Sequence, residues 1–306
     1  MLIPNKLNIG DTIGVVAPSG PIIEENIEEL EQARKIIESK GFKVKYSKNL
    51  FSNKNGYSNT PKEKAEDINE MFANQDVKMI WCAKGGENSN STFEYIDYEL
   101  IKKNPKILCG YSDITSIANM ITQKTGLVTF HGTNFKTVAT SQTDYGLKEV
   151  IKRFVEKSLE IGENEEYQTL QEGKIEGNLI GGNLSLVRAM VTGKYSINFE
   201  DKILFLEELG FETPPALASN FLYYMKQNKV FNKIKGLWIG NYEHESNIKL
   251  EQIIMDTLDG EFDFPIIKSN NFGHTERNTV IPIGTKARMD TTKDNKIELI
   301  KDCVKG

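Results

Sequence analysis

Through the first half of this chain, short apolar runs ending in Gly, Pro or Ser alternate with stripes of helical period. Thr12-Ile13-Gly14-Val15-Val16-Ala17 is one such run, closed by Pro18-Ser19-Gly20-Pro21. Residues 24–39 follow, with Ile27, Leu30, Ala33, Ile36 and Ile37 on one helical face. Phe42 to Tyr46 then alternates as a strand, and a polar helix is expected over 62–74. Val77 to Ala83 is the next strand, ending in Gly85-Gly86, and Phe93 to Lys102 reads as helix. A strand over 106–111, a helix from Ile114 to Gln123 and a strand from Leu127 to His131 complete the series. Such repeats close as an α/β fold, a mostly parallel sheet with flanking helices, because parallel neighbours need a crossover between them. Function in such sheets collects at the C-terminal ends of the strands. Gly85-Gly86, Ser112 and His131 all lie at those ends.

Residues 156–176 change character. They are Glu-rich, carry few large apolar side chains and include Gly162 and Gly173. The change predicts a crossing linker over 156–176, between an N-terminal domain at 1–155 and a smaller C-terminal α/β domain at 177–306. That second part reads as a strand over 175–180, then Gly181-Gly182-Asn183 and a helix to Val191, then the strong strand Lys202 to Leu206. A helix at 215–229, a strand at 234–240 and a helix at 246–258 follow, and from Val280 onward the chain reads as short strands, at 286–289 and 296–300.

At 306 residues, with 39% hydrophobic and 26% charged side chains, the chain can bury sizeable cores. Its net charge of −5, with lysines spread throughout, argues against a nucleic-acid partner. Met1 to Lys6 lacks the features of a signal peptide, and no run approaches 18 apolar residues, so no membrane span is expected. Cys82, Cys109 and Cys303 are odd in number and far apart, and the first two sit in apolar runs. The chain reads as cytoplasmic and reduced, and the expected assembly is a homodimer.

Gly110-Tyr111-Ser112-Asp113 joins an apolar strand to a helix start. Ser112 there has two readings. It caps the helix, as Ser-Asp pairs commonly do. Or its hydroxyl projects past the sheet edge beside free backbone N–H groups, as a nucleophile requires. A serine nucleophile needs a base, and the chain has only His131, His244 and His274. His274 lies in a polar loop, His131 ends a strand, and His244 stands between two glutamates; the residues leave all three open. For an orienting carboxylate, Ile203-Leu204-Phe205-Leu206 ends in Glu207-Glu208. Alternation puts Glu207 on the face of Ile203 and Phe205, with Glu208 opposite, so one of them faces a site. Gly85-Gly86 either turns the chain or offers N–H donors. No His-Glu-x-x-His or Cys-x-x-Cys pair and no dinucleotide or phosphate loop occurs, so neither metal nor cofactor is expected.

Five ordered blocks resemble the LD-carboxypeptidase family of serine peptidases, which includes microcin C immunity peptidases. They are Gly10 to Ser19, Gly85-Gly86, Tyr98 to Thr115, Gly181-Gly182-Asn183-Leu184, and Gly273-His274 with Ile281-Pro282-Ile283-Gly284. The resemblance implies a Ser112–Glu207–His274 triad, with an oxyanion hole from the backbone of Gly86 and Asp113. Gly85 and Asn88 become expected substrate contacts. The α/β-hydrolases share this triad order, but Ile114 stands where their elbow has its second glycine. Gly85 to Ser91 looks like the immunity branch. That branch has a longer insertion before Gly181, with a tryptophan that stacks on adenine; here the tryptophans are Trp81 and Trp238, and 156–176 offers only Tyr167. The implied substrate is a murein tetrapeptide, losing its terminal D-alanine, or a peptidyl-nucleotide amide. The alternative is a small-molecule or peptide-binding protein on the same scaffold.

Overall fold

The computed structural model describes residues 1–162 and 166–306. In chain order the first half runs β1 (Thr12–Val16), α1 (Glu24–Ser39), β2 (Lys43–Tyr46), α2 (Pro61–Ala73), β3 (Val77–Cys82), α3 (Tyr98–Lys103), β4 (Ile107–Gly110), α4 (Ile114–Thr125) and β5 (Thr129–His131). Two helices, α5 (Thr137–Thr140) and α6 (Tyr145–Phe154), lead out of it. The second half runs β6 (Gln168–Gln171), β7 (Lys174–Asn183), α7 (Leu184–Ala189), β8 (Lys202–Glu207), α8 (Pro215–Gln227), β9 (Gly236–Ile239), α9 (Leu250–Leu258), β10 (Ile266–Lys268), β11 (Ile281–Ile283), β12 (Lys286–Asp290) and β13 (Ile297–Leu299).

The first sheet has the order β11-β5-β4-β3-β1-β2, parallel throughout except for β11. Its inner strands β1, β3, β4 and β5 are largely buried, as the long apolar runs require, while the edge strand β2 is partly exposed. Strand order reverses between β1 and β3, which opens a crevice at their C-terminal ends. The second sheet has the order β13-β12-β7-β8-β9-β10-β6, with β7 to β10 parallel and antiparallel strands at its margins.

The two halves share their apolar interior. One buried cluster joins Ile114 and Ile117 to Leu184 and Leu206, and the other joins Phe130 and Phe135 to Phe205 and Trp238. Strand β11 also crosses back, pairing Ile281 with His131. Within 156–176 the chain forms β6, whose partner is β10, and Gln171 Nε2 donates to the carbonyls of Phe262 and Phe264. Residues 163–165 of that expected linker lie outside the described residues.

Three elements differ from the expectations. The helix expected from Phe93 begins at Tyr98, because Asp97 accepts a hydrogen bond from Leu100 N (2.9 Å) and caps it there. The helix expected from residue 246 begins at Leu250, after a box formed by Lys249 and Gln252. Strand β7, expected to end at Ile180, continues through Gly181-Gly182-Asn183. There a Cβ on Gly181 would lie 1.9 Å from Phe205 O, and one on Gly182 2.4 Å from Thr115 Oγ1. The two glycines let β7 pass tightly between β8 and α4, and Asn119 of α4 hydrogen-bonds Gly181 across that seam. No described helix is long and apolar enough to cross a membrane.

Candidate active site

Ser112 has φ of +64°, a left-handed conformation that costs a non-glycine residue roughly 1–2 kcal/mol. The turn is held from three sides. Asp113, fully buried, takes Ser89 N (2.7 Å) on a carboxylate oxygen that also accepts from Ser19 Oγ, and its carbonyl accepts from Ser89 Oγ (2.7 Å). Tyr111 N donates to Asn134 Oδ1 (3.1 Å). The loops after β1, β3, β4 and β5 are thereby locked to one another. Capping is not what the Ser112 side chain does: Asp113 occupies the cap position of α4, and Ser112 Oγ faces His274 instead.

Gly85 packs directly on the hydroxyl, since a Cβ there would lie 3.0 Å from Ser112 Oγ. Gly86 has φ of +151°, and a Cβ on it would overlap Gly20 N at 2.4 Å, so no other residue fits this approach of two loops. Asn88 lines the cleft, but its amide is engaged from within: Lys64 Nζ donates to its Oδ1 (2.7 Å), and its Nδ2 donates to Ser58 Oγ (3.1 Å). Lys64 is buried beneath, with a pKa pushed down to about 8 by burial.

The second sheet brings the other groups. Glu207 ends β8 fully buried, and its Oε2 lies 2.7 Å from His274 Nδ1 and accepts from His274 N (3.2 Å). His274 Nε2 stands 3.2 Å from Ser112 Oγ. Gly273, with φ of +100°, lets the His274 loop rest on the carboxylate; a Cβ there would lie 2.4 Å from Glu207 Oε2. Asn278 accepts from Gly273 N (3.1 Å) and Asn241 donates to His274 O (2.8 Å), so the loop is fixed on both flanks. Glu208 turns the other way, as alternation requires, and accepts from Asn183 Nδ2 (2.7 Å) and Ser185 N (2.9 Å).

Charge follows contact. Burial acts to lower the His274 pKa, but the Glu207 charge and hydrogen bond, helped by Glu208 and Glu212, outweigh it and raise the value above the ordinary imidazole range. Burial acts to raise Glu207, and the charge and hydrogen bonds of His274 outweigh that, leaving it below the usual carboxylate range. His131 is fully buried behind the pair, with no hydrogen-bond partner for either ring nitrogen among the described residues, and burial pushes its pKa down to about 4. His244 lies apart and meets Ser246 Oγ at 2.8 Å. Tyr167 packs against an apolar cluster away from the cleft.

The cleft has two lobes. One, of about 620 Å³, includes Ser112, Gly86 and Asn88. The other, of about 790 Å³, includes Thr137, Ser141 and Thr275. Lys84, Gly85, Tyr111, Asn134, Leu209 and His274 line both. A groove of about 750 Å³ beside Ile9 and Ile151 shares no residue with them. Among the described residues no group of His, Cys, Asp and Glu side chains is placed to hold a metal ion.

A hydroxyl beside an imidazole beside a carboxylate, at the strand ends of an α/β sheet, is the arrangement of a serine hydrolase. Residues 13–132 match the LD-carboxypeptidase N-terminal domain, and residues 176–289 match the LD-carboxypeptidase C-terminal domain. The chain therefore belongs to the LD-carboxypeptidase family of serine peptidases. It is 33% identical to the probable murein peptide carboxypeptidase of Bacillus subtilis over 95% of this chain and 92% of that protein. It is 27% identical to the microcin C7 self-immunity protein MccF of Escherichia coli over 96% of this chain and 94% of MccF. A solved MccF complex with glutamyl sulfamoyl guanosine superposes with a TM-score of 0.91 at 26% identity, covering all of both chains. An MccF-like protein of Bacillus anthracis superposes with a TM-score of 0.89 at 29% identity, covering 99% of this chain and all of that one.

The supports of the site carry little mark in the sequence. Ser19, Lys64, Ser89, Asn241 and Asn278 hold the loops, yet each looks like an ordinary polar residue in the chain. Only the Pro18-Ser19-Gly20 punctuation at a strand end marks one of them.

Proposed function

We propose that this peptidase cleaves an amide through Ser112 as nucleophile, His274 as general base and acid, and Glu207 as the group that orients His274. The observation that carries the reading is the continuous path from Glu207 Oε2 to His274 Nδ1 (2.7 Å) and from His274 Nε2 to Ser112 Oγ (3.2 Å) at the mouth of the cleft. Ser112 Oγ attacks the carbonyl carbon while His274 Nε2 takes the hydroxyl proton. The buried Glu207 carboxylate keeps the Nδ1 proton in place and stabilises the imidazolium. Backbone N–H groups of Gly86 and Asp113 receive the oxyanion. Collapse of the intermediate breaks the C–N bond, and the amine leaves with the proton from His274. Water, deprotonated by His274, then releases the acid and restores Ser112.

The substrate we propose is a murein tetrapeptide that loses its terminal residue, in keeping with the B. subtilis relative. The likeness to MccF, solved with a glutamyl sulfamoyl nucleoside, favours a second reading in which the leaving amine carries a nucleotide. The test is mass spectrometry of purified protein with a murein tetrapeptide and with an aspartyl-nucleotide amide. Loss of the terminal residue or of the nucleotide amine, abolished in Ser112→Ala, supports the proposal. Turnover that survives Ser112→Ala in a contaminant-free preparation overturns it.

A further inference from the structure

The two lobes of the cleft differ in what they can do for an amide bond. The acyl carbon must reach Ser112 Oγ with its oxygen beside Gly86, and both residues line the 620 Å³ lobe. The leaving nitrogen must collect a proton from His274, which both lobes share. An acyl group seated beside Ser112 therefore directs the leaving group past His274 into the 790 Å³ lobe. Two lysines line that lobe, Lys84 just before Gly85 and Lys136 just before α5.

The two lysines are partnered differently. Lys136 Nζ pairs with Glu29 Oε2 at 3.0 Å, while Lys84 Nζ has the neutral Asn26 Oδ1 at 3.3 Å. One carboxylate thus faces two ammonium groups. Burial pulls the Lys84 pKa down, repulsion from Lys136 adds to this, and attraction to Glu29 offsets only part. Two acids, Glu243 and Glu276, line the same lobe. Glu276 accepts from Ser141 Oγ (2.5 Å) and Gln142 N (2.8 Å), and Glu243 is exposed to water at the rim.

We propose that Lys84 and Lys136 form an anion subsite that binds the negative group carried on the leaving amine. The proposal rests on the serine-hydrolase reading and extends it: the enzyme selects amides whose leaving side ends in an anion. For a peptide that group is the terminal carboxylate, one carbon from the scissile nitrogen. For a nucleotide amide it is the phosphoryl group. Two ammonium donors lining the leaving lobe make the peptidase act on chain ends, since an internal residue brings a neutral amide to the same place.

The experiment compares a tetrapeptide acid with its C-terminal carboxamide twin, and an acyl phosphoramidate nucleotide with a neutral acyl amide. Wild-type protein should favour the anionic member of one pair by roughly 10- to 100-fold in kcat/KM, the scale of a charge-assisted contact. The pair that shows the preference identifies the source of the anion. In Lys136→Met that preference should collapse toward one, mainly through KM, and Lys136→Arg should restore it. Glu29→Gln, which releases Lys136, should sharpen it. Calorimetric titration of Ser112→Ala with the same pairs reads the subsite without turnover. Tighter binding of the anionic member, lost in the Ser112→Ala, Lys136→Met double variant, supports the subsite even where Ser112 proves not to be the nucleophile. Equal affinity for both members of both pairs, or a preference untouched by Lys136→Met and Lys84→Met alike, overturns it.

Discussion

His131 and His274 flank the Tyr111 ring, at 6.2 Å and 5.1 Å between ring centroids, and both feel the Glu207 charge. Their protons behave in opposite ways. His274 holds a direct hydrogen bond to Glu207 and its pKa rises. His131 sits edge-on among Tyr111, Phe205 and Phe272 without such a bond, and burial wins over the same carboxylate. The difference teaches that nearness to a charge does not make an acid–base group. A directed hydrogen bond must offset what dehydration removes. One side of Tyr111 is suited to move protons, and the other is a dry wall behind it.

The largest expected effects test that division. Ser112→Ala and His274→Ala should each lower kcat by roughly 10³-fold or more, while His131→Phe should cost under about 10-fold. Steady-state kinetics on folded variants decides; equal losses at the two histidines would break the comparison. Next come the two adjacent acids. Glu207→Gln should lower kcat by roughly 10³-fold, because it removes the charge that holds the imidazolium. Glu208→Gln should act mainly on stability, by about 1–2 kcal/mol in thermal melts, since Glu208 accepts from Asn183, Ser185 and Leu209. Loss of turnover in Glu208→Gln with Glu207→Gln spared would reverse their roles.

A pH profile sharpens the same contrast with a smaller signal. Protonated His274 cannot accept the Ser112 proton, so kcat/KM should fall on the acid side. The raised pKa puts the midpoint of that fall above the ordinary imidazole value of about 6.5. Residual activity of Glu207→Gln should have its midpoint at lower pH, since the group that raises His274 is gone. A midpoint that does not move would detach the two residues. Stability should separate the histidines too: His131→Phe should change unfolding free energy by less than about 1 kcal/mol, because no protein hydrogen bond is lost. The smallest effect is expected for His244→Ala, which should leave kcat/KM within about twofold, as its ring meets Ser246 away from the cleft.

Much of this architecture is legible in the chain because it is local. The apolar runs before Pro18, Gly85 and Ser112 become β1, β3 and β4, and their ends do form the cleft. Alternation along β8 separates Glu207 from Glu208 before any contact is known, since a strand has only two faces. The helix that starts late at Tyr98 is harder to read, because its start depends on the Asp97 side chain rather than on periodicity. Strands β6 and β10 are hidden for another reason. Each is three or four residues long and takes its partner from a distant part of the chain.

By itself the sequence determines the repeating strand–turn–helix order, the position of Ser112 on a strand-end turn and the choice of three histidines. Periodicity and turn chemistry act within a few residues, and those signals survive in the linear chain. Which histidine meets Ser112 is decided only by tertiary structure. His274 stands 162 residues from Ser112 and reaches it through a loop that leaves the second sheet at β10 and returns to the first at β11. The left-handed turn at Ser112, the seam at Gly181-Gly182 and the opposite pKa shifts of His131 and His274 arise the same way. Each depends on how far two remote segments can approach and on what that approach dries out, and neither quantity is written in local residue order.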